Sequence, residues 1–303
     1  MLICDTHADT LYAMAAEGRP AELPFDVRRE HFLDSRDVRV QALALFVCTG
    51  GMALSPTIVE RELAALERLK QQGFVQITQL SEARPGVPNV LLTIEGGEAF
   101  GNDPSNVERF ARLGVRAAAL VWNNENLLAH PAVGDSSQGL TPFGREVVRR
   151  MRQCRMAVDV SHLNERGFWD LMDGNVPPMA SHSCARALCD HPRNLTDTQL
   201  RALFRAGGYV GVNFYPVFLS PSGQAGIDTV IDHIAYMCDL GGERCVGLGS
   251  DFDGIERYPR GLRTAGDLPA LFDRMRQRGF DQALIESIAG QNFARYLQDS
   301  LSL

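Results

Sequence analysis

Two apolar stretches of the chain each close with the pair Ser-His. Residues 157–162 and 176–182 have the apolar and β-branched content of buried strands, and residues 164–172 between them begin with a helix start signal. This order predicts a βαβ unit, in which two parallel strands end side by side. His162 and His182 would then project into one space, and such an arrangement suits a paired metal site.

Polar side chains also follow the other predicted strands. His7 and Asp9 come directly after the first strand, and at a spacing of two residues on extended backbone they point the same way. Glu95 closes the third strand and precedes Gly96 and Gly97, which would leave backbone room for a ligand. Each of these residues alone is an ordinary feature of a sequence, so only their joint occurrence favours a site. The remaining strand ends carry Trp122, Asn213 and Asp251.

The number of predicted strands indicates the fold class. Eight apolar runs, nearly all followed by a helical stretch, are typical of a (β/α)8 TIM-type barrel, and a doubly wound open sheet is the alternative. The polar residues favour the barrel, because only a closed ring brings all strand ends together. We expect residues 1–303 to form a single barrel domain that ends in helices. The predicted strands are residues 1–5, 38–47, 90–95, 115–121, 157–162, 176–182, 208–215 and 246–249, and the predicted helices are residues 57–72, 107–113, 142–154, 164–172, 196–205, 227–240 and, with breaks at Gly279 and near Gly290, 267–297.

The composition excludes several classes of protein. A chain of 303 residues with 45% hydrophobic residues can bury a large core, and a formal net charge of −7 argues against a nucleic-acid surface. The chain start lacks a signal-peptide pattern and no segment has 18 uncharged apolar residues, so we expect a cytoplasmic protein without membrane association. The seven cysteines include no CxxC pair and are expected to be buried free thiols.

The converging residues supply ligands for two divalent ions. The set is two histidines, a His-Asp pair and a bridging glutamate: His7, Asp9, Glu95, His162 and His182. Two ions about 3.5–4 Å apart can hold a water as hydroxide and polarise a carbonyl. Imidazole and carboxylate ligands suit zinc, although manganese or iron would also fit. Asp251, which is not needed as a ligand, is placed to accept a proton from that water and return it to a leaving amine.

Seven blocks of the sequence resemble the membrane (renal) dipeptidase family of zinc metallopeptidases. The resemblance runs over nearly the whole chain, in order and with similar spacing. The blocks are DTHAD at 5–9, IEGG at 94–97, DVSH at 159–162, SHS at 181–183, PRN at 192–194, VNF at 212–214 and GSDFDG at 249–254.

The resemblance implies an amidohydrolase-type barrel that hydrolyses dipeptides with two zinc ions. By the same resemblance, His7 and Asp9 hold one ion, His162 and His182 hold the other, and Glu95 bridges both. Related hydrolases bridge their metals with a carbamylated lysine. The one lysine here, Lys70, lies on a predicted helix away from any strand end, so the bridging role falls to Glu95.

The resemblance also implies how a substrate is held. Arg193 matches the family's arginine for the free carboxylate of a dipeptide, a role that suits a bidentate guanidinium. Asp251 matches the catalytic aspartate, and Asn213 and Tyr215 are expected beside the substrate. Trp122 stands where mammalian members carry a histidine near the scissile carbonyl, so oxyanion stabilisation falls to a zinc ion or another donor.

Other functions remain open at this level. A related barrel hydrolase that acts on a cyclic amide, a lactone or an N-acyl amino acid is the nearest alternative, and a non-catalytic scaffold is a second. Both L,L and L,D dipeptides are candidate substrates. A homodimer is expected from the family, and the mammalian leader and C-terminal anchor signals are not seen.

Overall fold

Nine parallel strands form one sheet in the computed structural model of this chain, which describes residues 1–16, 25–33, 36–48, 56–134, 137–172, 174 and 177–302. Eight of the strands pair in the order β1-β2-β4-β5-β6-β7-β8-β9 and back to β1, which closes a barrel. The predicted (β/α)8 class is therefore confirmed. The strands are β1 (Leu2–Asp5), β2 (Val38–Phe46), β3 (Val75–Ile77), β4 (Asn89–Glu95), β5 (Val115–Ala119), β6 (Ala157–Asp159), β7 (Met179–Ala180), β8 (Tyr209–Val212) and β9 (Val246–Leu248).

The strand β3 was not predicted, and it lies outside the eight-stranded ring. It pairs with residues 89–91 of β4, whereas β5 pairs with residues 92–94. Because β2 pairs with the whole length of β4, β3 and β5 must share its other edge. A strand of three residues that begins at an exposed Val75 carries too short an apolar pattern to be recognised from sequence.

Helices cover the outside of the ring, and most of them match the predicted ranges within a few residues. Thr141 caps one helix by accepting a hydrogen bond from Gly144 N, with Pro142 as its first residue. The short helices α1 and α7 were not predicted. The helices are α1 (Thr10–Ala15), α2 (Pro56–Gln71), α3 (Asn106–Arg112), α4 (Pro142–Gln153), α5 (Glu165–Met172), α6 (Asp197–Arg205), α7 (Pro216–Leu219), α8 (Ile227–Met237), α9 (Leu268–Gln277), α10 (Gln282–Glu286) and α11 (Asn292–Ser302).

The strands β6 to β8 are shorter than predicted. The predicted stretch 176–182 contains only the two-residue strand β7, and its first residue, Val176, lies outside the described part of the chain. The residues that follow β7 adopt turns instead of extending the strand. The ligand candidates of this region therefore lie on the loops directly after the strands.

The lower part of the barrel is filled by apolar side chains. One cluster takes residues from seven of the eight ring strands and is closed by Phe293, Tyr296 and Leu297 of α11. Because this end is filled, a site must lie at the opposite, carboxyl end of the strands. All seven cysteines are free thiols, and five of them are buried. Among the described residues, no helix is long and apolar enough to cross a bilayer.

Asp5 joins the first strand of the ring to the last. The pairing of β1 with β9 has a single register pair, Asp5 with Leu248. Asp5 Oδ1 accepts a hydrogen bond from Ser250 N at 2.8 Å, and Asp5 Oδ2 accepts one from Ser250 Oγ at 2.5 Å. Thr6 Oγ1 adds contacts at 2.8 Å to Leu248 O and 2.6 Å to Ser181 O. Side-chain hydrogen bonds therefore support the closure of the barrel.

Replacing Asp5 by alanine should lower the free energy of unfolding by about 3 kcal/mol, because two buried hydrogen bonds to one carboxylate are lost. Urea denaturation followed by circular dichroism measures the change. Asp228→Ala is the control, since this exposed carboxylate pairs with Arg274 at the surface and its loss should change stability by about 0–1 kcal/mol. Equal effects of the two substitutions would show that Asp5 has no special part in closure.

Candidate metal centre

One carboxylate, that of Glu95, contacts three histidines at the carboxyl end of the barrel. Glu95 Oε1 lies 2.8 Å from His162 Nε2 and 3.3 Å from His182 Nε2, and Glu95 Oε2 lies 3.5 Å from His7 Nε2. The two nitrogens of His162 and His182 are 3.0 Å apart. Strand ends that are distant in the sequence therefore meet around Glu95, as the sequence pattern predicts.

Two more carboxylates lie on the other side of His7. Its Nε2 atom is 3.6 Å from Asp9 Oδ2 and 3.9 Å from Asp251 Oδ1. Two groups of donor atoms within 4.8 Å of one another result, one of His7, Glu95 and His182 and one of His7, Asp9 and Asp251. The geometry therefore makes Asp251 a candidate ligand as well as a candidate proton acceptor.

Unpartnered atoms show that these residues fit a cation. His7 Nε2 and Asp9 Oδ1 are buried and have no hydrogen-bond partner. Leaving a buried polar atom unpaired costs about 1–3 kcal/mol, and coordination to a metal ion would remove that cost. Imidazole nitrogens with carboxylate oxygens form the donor set that zinc accepts.

Burial sets the protonation of the two histidines that follow β6 and β7. Burial, with a further effect of the Arg193 charge, lowers the pKa of His162 to about 4. Burial and the neighbouring His7 hold the pKa of His182 well below its ordinary value. Both imidazoles are therefore neutral at pH 7, and the neutral ring is the form that binds a metal.

The carboxylates and His7 share charge in the metal-free chain. Burial raises the pKa of Glu95, but the charge of His7, together with the contacts of His162 and His182, outweighs burial and holds this pKa well below its ordinary value. Burial opposes the charge on His7, and the carboxylates of Glu95 and Asp9 outweigh it and raise the pKa of His7 well above its ordinary value. Burial and Glu95 raise the pKa of Asp9 to about 7. A bound cation would replace the protons held by His7 and Asp9.

A second layer of contacts orients His162 and His182. His162 Nδ1 donates to Asn123 Oδ1 at 2.8 Å, so its Nε2 atom keeps a lone pair towards Glu95. Ser181 Oγ lies 2.7 Å from His182 Nδ1. Asp159 Oδ1 accepts from Ser161 N at 2.8 Å and from Ser181 N at 3.0 Å, and thereby ties the ends of β6 and β7 together. These roles were not predicted, although a lone aspartate inside the apolar run 157–160 was a usable signal.

Backbone crowding explains the glycines near the site. A Cβ atom on Gly96, at φ +94°, would lie 1.8 Å from Val47 O, and one on Gly97 would lie 2.4 Å from Leu120 O. The prediction that these glycines leave room for a ligand is therefore wrong, because neighbouring backbone occupies that room. A Cβ on Gly254 would lie 2.1 Å from Asp9 Oδ2, so Gly254 is the glycine that makes space for a ligand residue.

Arg193 is a candidate substrate residue with a buried guanidinium. The residue is 4% exposed, its guanidinium carbon lies 5.4 Å from the centre of the Phe218 ring, and its Nε atom has no hydrogen-bond partner among the described residues. Its Nη2 atom donates a long hydrogen bond of 3.5 Å to His182 O. Burial lowers the pKa of Arg193. No carboxylate among the described residues lies within ion-pair distance of this guanidinium.

The other three candidates follow β5 (Trp122) and β8 (Asn213 and Tyr215). Asn213 Nδ2 donates to Asp251 Oδ2 at 3.0 Å, so Asn213 positions Asp251. The ring of Trp122 lies 6.1 Å from that of His162. Tyr215 is half-buried and its hydroxyl donates to Glu256 at 2.6 Å. Burial and this partner raise the pKa of Tyr215 to about 12.

A closed barrel with histidines and carboxylates gathered at the carboxyl ends of its strands defines a metal-dependent barrel hydrolase. Two solved structures of similar shape are described as metallo peptidases. The dipeptidase AC, described as a metallo peptidase of family M19, has a TM-score of 0.88 at 27% identity and covers 100% of this chain and 99% of its own. A metallo peptidase from Rhodobacter sphaeroides, solved with a phosphinate mimic of the dipeptide L-Ala-D-Ala, has a TM-score of 0.87 at 26% identity and covers 99% of both chains.

Sequence comparison gives the same result. The model of the membrane dipeptidase family, peptidase family M19, matches residues 2–301. An uncharacterized dipeptidase of Schizosaccharomyces pombe is 40% identical over 210 residues. The match covers 68% of this chain and 51% of that relative, so this chain spans about half of the relative's length. The chain belongs to the membrane dipeptidase family and is a metallo-dipeptidase, which confirms the expected class, activity and metal dependence.

A further buried acid, Glu62 of α2, lies behind the site. Its side chain is 0% exposed, Oε1 accepts a hydrogen bond from Phe46 N at 2.8 Å, and Oε2 has no partner. Burial raises the pKa of Glu62 well above the ordinary 4.5. The carboxyl group is therefore protonated in the folded chain at pH values where the unfolded chain releases its proton.

Replacing Asp159 by alanine should weaken zinc binding about 10- to 100-fold, because both histidine-bearing loops lose a shared acceptor. Competition with a chromophoric chelator measures the affinity. Asp159→Asn retains the accepting Oδ1 atom and should bind zinc like the wild type. If the alanine variant also binds like the wild type, other contacts hold the two histidines.

Replacing Glu62 by glutamine should raise the free energy of unfolding relative to the wild type, and this difference should grow as pH rises above about 4.5. The folded wild type holds a proton that the unfolded chain loses, so the contribution of Glu62 is complete below its ordinary pKa and declines as pH rises, by at most about 1.4 kcal/mol per pH unit. Urea denaturation of the metal-free protein at pH 5, 6 and 7 measures the difference between variant and wild type.

Glu67→Gln on the exposed face of the same helix serves as the control, since Glu67 pairs with Lys70 at the surface. Its difference from the wild type should not grow with pH. A flat difference for Glu62→Gln as well would mean that Glu62 is ionised in the folded protein.

Proposed function

We propose that this chain hydrolyses the peptide bond of free dipeptides with two zinc ions in its metal centre. The observation that carries the proposal is Arg193, a buried guanidinium without a carboxylate partner among the described residues, beside the metal candidates. A buried charge of this kind is stabilised when an anion joins it. The free carboxylate of a dipeptide supplies such an anion, and bidentate pairing with arginine suits it.

The proposed ligands divide between two positions. His7 and Asp9 would hold one zinc ion, His162 and His182 would hold the other, and Glu95 would serve both. When bound, the ions act as a Lewis acid and lower the pKa of a bound water. Support comes from the neutral state of His162 and His182 and from the ionised state of Glu95.

Asp251 is the proposed proton carrier. Its Oδ2 atom accepts from Asn213, so Oδ1 is the oxygen that faces the metal centre, at 3.9 Å from His7 Nε2. Burial raises the pKa of Asp251, which brings this carboxyl closer to the working range of a general base and acid. Asp251 Oδ1 takes a proton from the attacking water and returns it to the leaving amine.

Dipeptides with a carboxyl-terminal D-residue are the first substrates to test. The similar Rhodobacter sphaeroides structure holds a phosphinate mimic of L-Ala-D-Ala, and this supports an L,D preference here. L,L dipeptides are the comparison set. A homodimer and a cytoplasmic location remain predictions.

Replacing Arg193 by glutamine should lower kcat/KM for L-Ala-D-Ala at least about 30-fold, chiefly through KM, because a buried charged partner of the substrate carboxylate is lost. Steady-state kinetics on the zinc-loaded protein measures both constants. The matched control substrate is the dipeptide amide, which lacks the carboxylate and should be hydrolysed equally by variant and wild type.

Two outcomes contradict the proposal. If the variant is impaired to the same extent on the dipeptide and its amide, Arg193 does not bind the carboxylate. If chelator-treated protein, shown to be metal-free by elemental analysis, still hydrolyses the dipeptide, the metal centre is not the site of the reaction.

A further inference from the structure

Three aromatic rings form a continuous surface on one side of the metal centre. Tyr12 of α1 lies edge-on to Phe46 at the end of β2, with ring centres 4.8 Å apart, and Phe46 lies edge-on to Trp122 at 5.2 Å. The Trp122 ring lies 6.1 Å from that of His162, so the surface reaches the metal candidates. Phe46 is buried, and Tyr12 and Trp122 are half-buried. We call these three residues the aromatic wall.

The aromatic wall lies across the barrel mouth from Arg193. In the ring of eight strands, β2 and β7 are four places apart in either direction, so they stand opposite each other. Phe46 ends β2, and Trp122 follows β5, which is two places from β2 and two places from β7. Arg193 follows β7. Glu95 at the end of β4 has its carboxylate between the two sides, in contact with histidines from both.

The aromatic wall is uncharged. Phe46 and Trp122 carry no ionisable group, and burial, with smaller effects of Cys48, Glu62 and Asp9, raises the pKa of Tyr12 and keeps its phenol neutral. The charge of Arg61 acts in the opposite direction and does not outweigh burial. An apolar side chain is therefore the chemistry that matches this surface.

Contacts with Glu62 and between the rings fix the position of the aromatic wall. Glu62 Oε1 accepts the hydrogen bond of Phe46 N at 2.8 Å, so the last residue of β2 is fixed by a fully buried side chain. Edge-on contacts on both sides of Phe46 then set the positions of Tyr12 and Trp122. A surface fixed in this way binds a side chain with little loss of its own conformational entropy.

We propose that the aromatic wall binds the side chain of the amino-terminal residue of the dipeptide, so that the enzyme prefers dipeptides with an apolar residue at this position. The inference rests on the proposed function, because it takes Arg193 as the anchor of the substrate carboxylate. Two extended residues span about 7 Å, so a dipeptide anchored at Arg193 directs its amino-terminal residue towards the opposite side of the mouth. Its peptide carbonyl then lies over the metal centre.

The test compares substrates of equal size and different polarity. On the zinc-loaded full chain, kcat/KM for Leu-D-Ala should exceed that for Asn-D-Ala at least about tenfold, the scale of discrimination expected of an apolar pocket. Trp122→Ala should reduce this ratio to below about threefold, and Trp122→Phe should retain most of it. The matched control is Trp169→Ala on α5, because this tryptophan packs on Phe168 away from the wall and its loss should leave the ratio unchanged.

A second substrate pair assigns the wall to one end of the dipeptide. The ratio of kcat/KM for Ala-D-Leu over Ala-D-Asn should be the same in wild type and Trp122→Ala. If this ratio changes and the first does not, the wall binds the carboxyl-terminal residue and the inference is overturned.

Three further results would overturn the inference. Equal rates for Leu-D-Ala and Asn-D-Ala would show that the wall does not select, and a preference for Glu-D-Ala would assign recognition to Arg61. A Trp122→Ala variant impaired equally on all substrates would place Trp122 in the chemical step. Failure of the proposed function gives a different pattern, namely no hydrolysis of any dipeptide or no effect of Arg193→Gln on KM.

Discussion

The site depends on a single negative charge, that of Glu95, held where only 3% of the residue is exposed. A buried carboxylate of this kind is tolerated only beside positive or hydrogen-bonding partners. His7 supplies the positive charge in the metal-free chain, and His162 and His182 place two more ring nitrogens against the same carboxylate. These three histidines follow β1, β6 and β7. The closed ring of strands gathers these histidines around one carboxylate. The burial of an ionised Glu95 therefore depends on closure of the barrel.

Contacts further out divide the barrel mouth into two chemically different halves. Around β7 to β9 lie a guanidinium and the Asn213–Asp251 pair, which suit a charged and polar substrate end. Around β1, β2 and β5 lie three aromatic rings, supported by a protonated carboxyl group on α2. The metal candidates lie between these halves. A ligand with an anionic end, a central carbonyl and an apolar end matches all three zones at once.

The ligand candidates could be predicted from the sequence because each follows an apolar run, and this pattern is local. His162 and His182 meet as the two Ser-His ends predicted. Contacts between distant residues leave no such pattern, and for this reason the hydrogen bond from His162 to Asn123 and the support of Phe46 by Glu62 were missed. Gly96 was misread for the same reason, since the Val47 carbonyl that crowds it follows another strand, β2. The strand β3 was simply too short to show alternation.

The apolar side chains of α11 that fill the lower barrel come after all nine strands in the chain. During synthesis the strands therefore leave the ribosome before the residues that cover their interior. Asp5 and Ser250, 245 positions apart, also meet only when the ring closes. Such distant contacts slow folding, and a half-made barrel exposes apolar surface and unpaired strand edges. A nascent chain that is released before α11 emerges would be a substrate for chaperones and proteases.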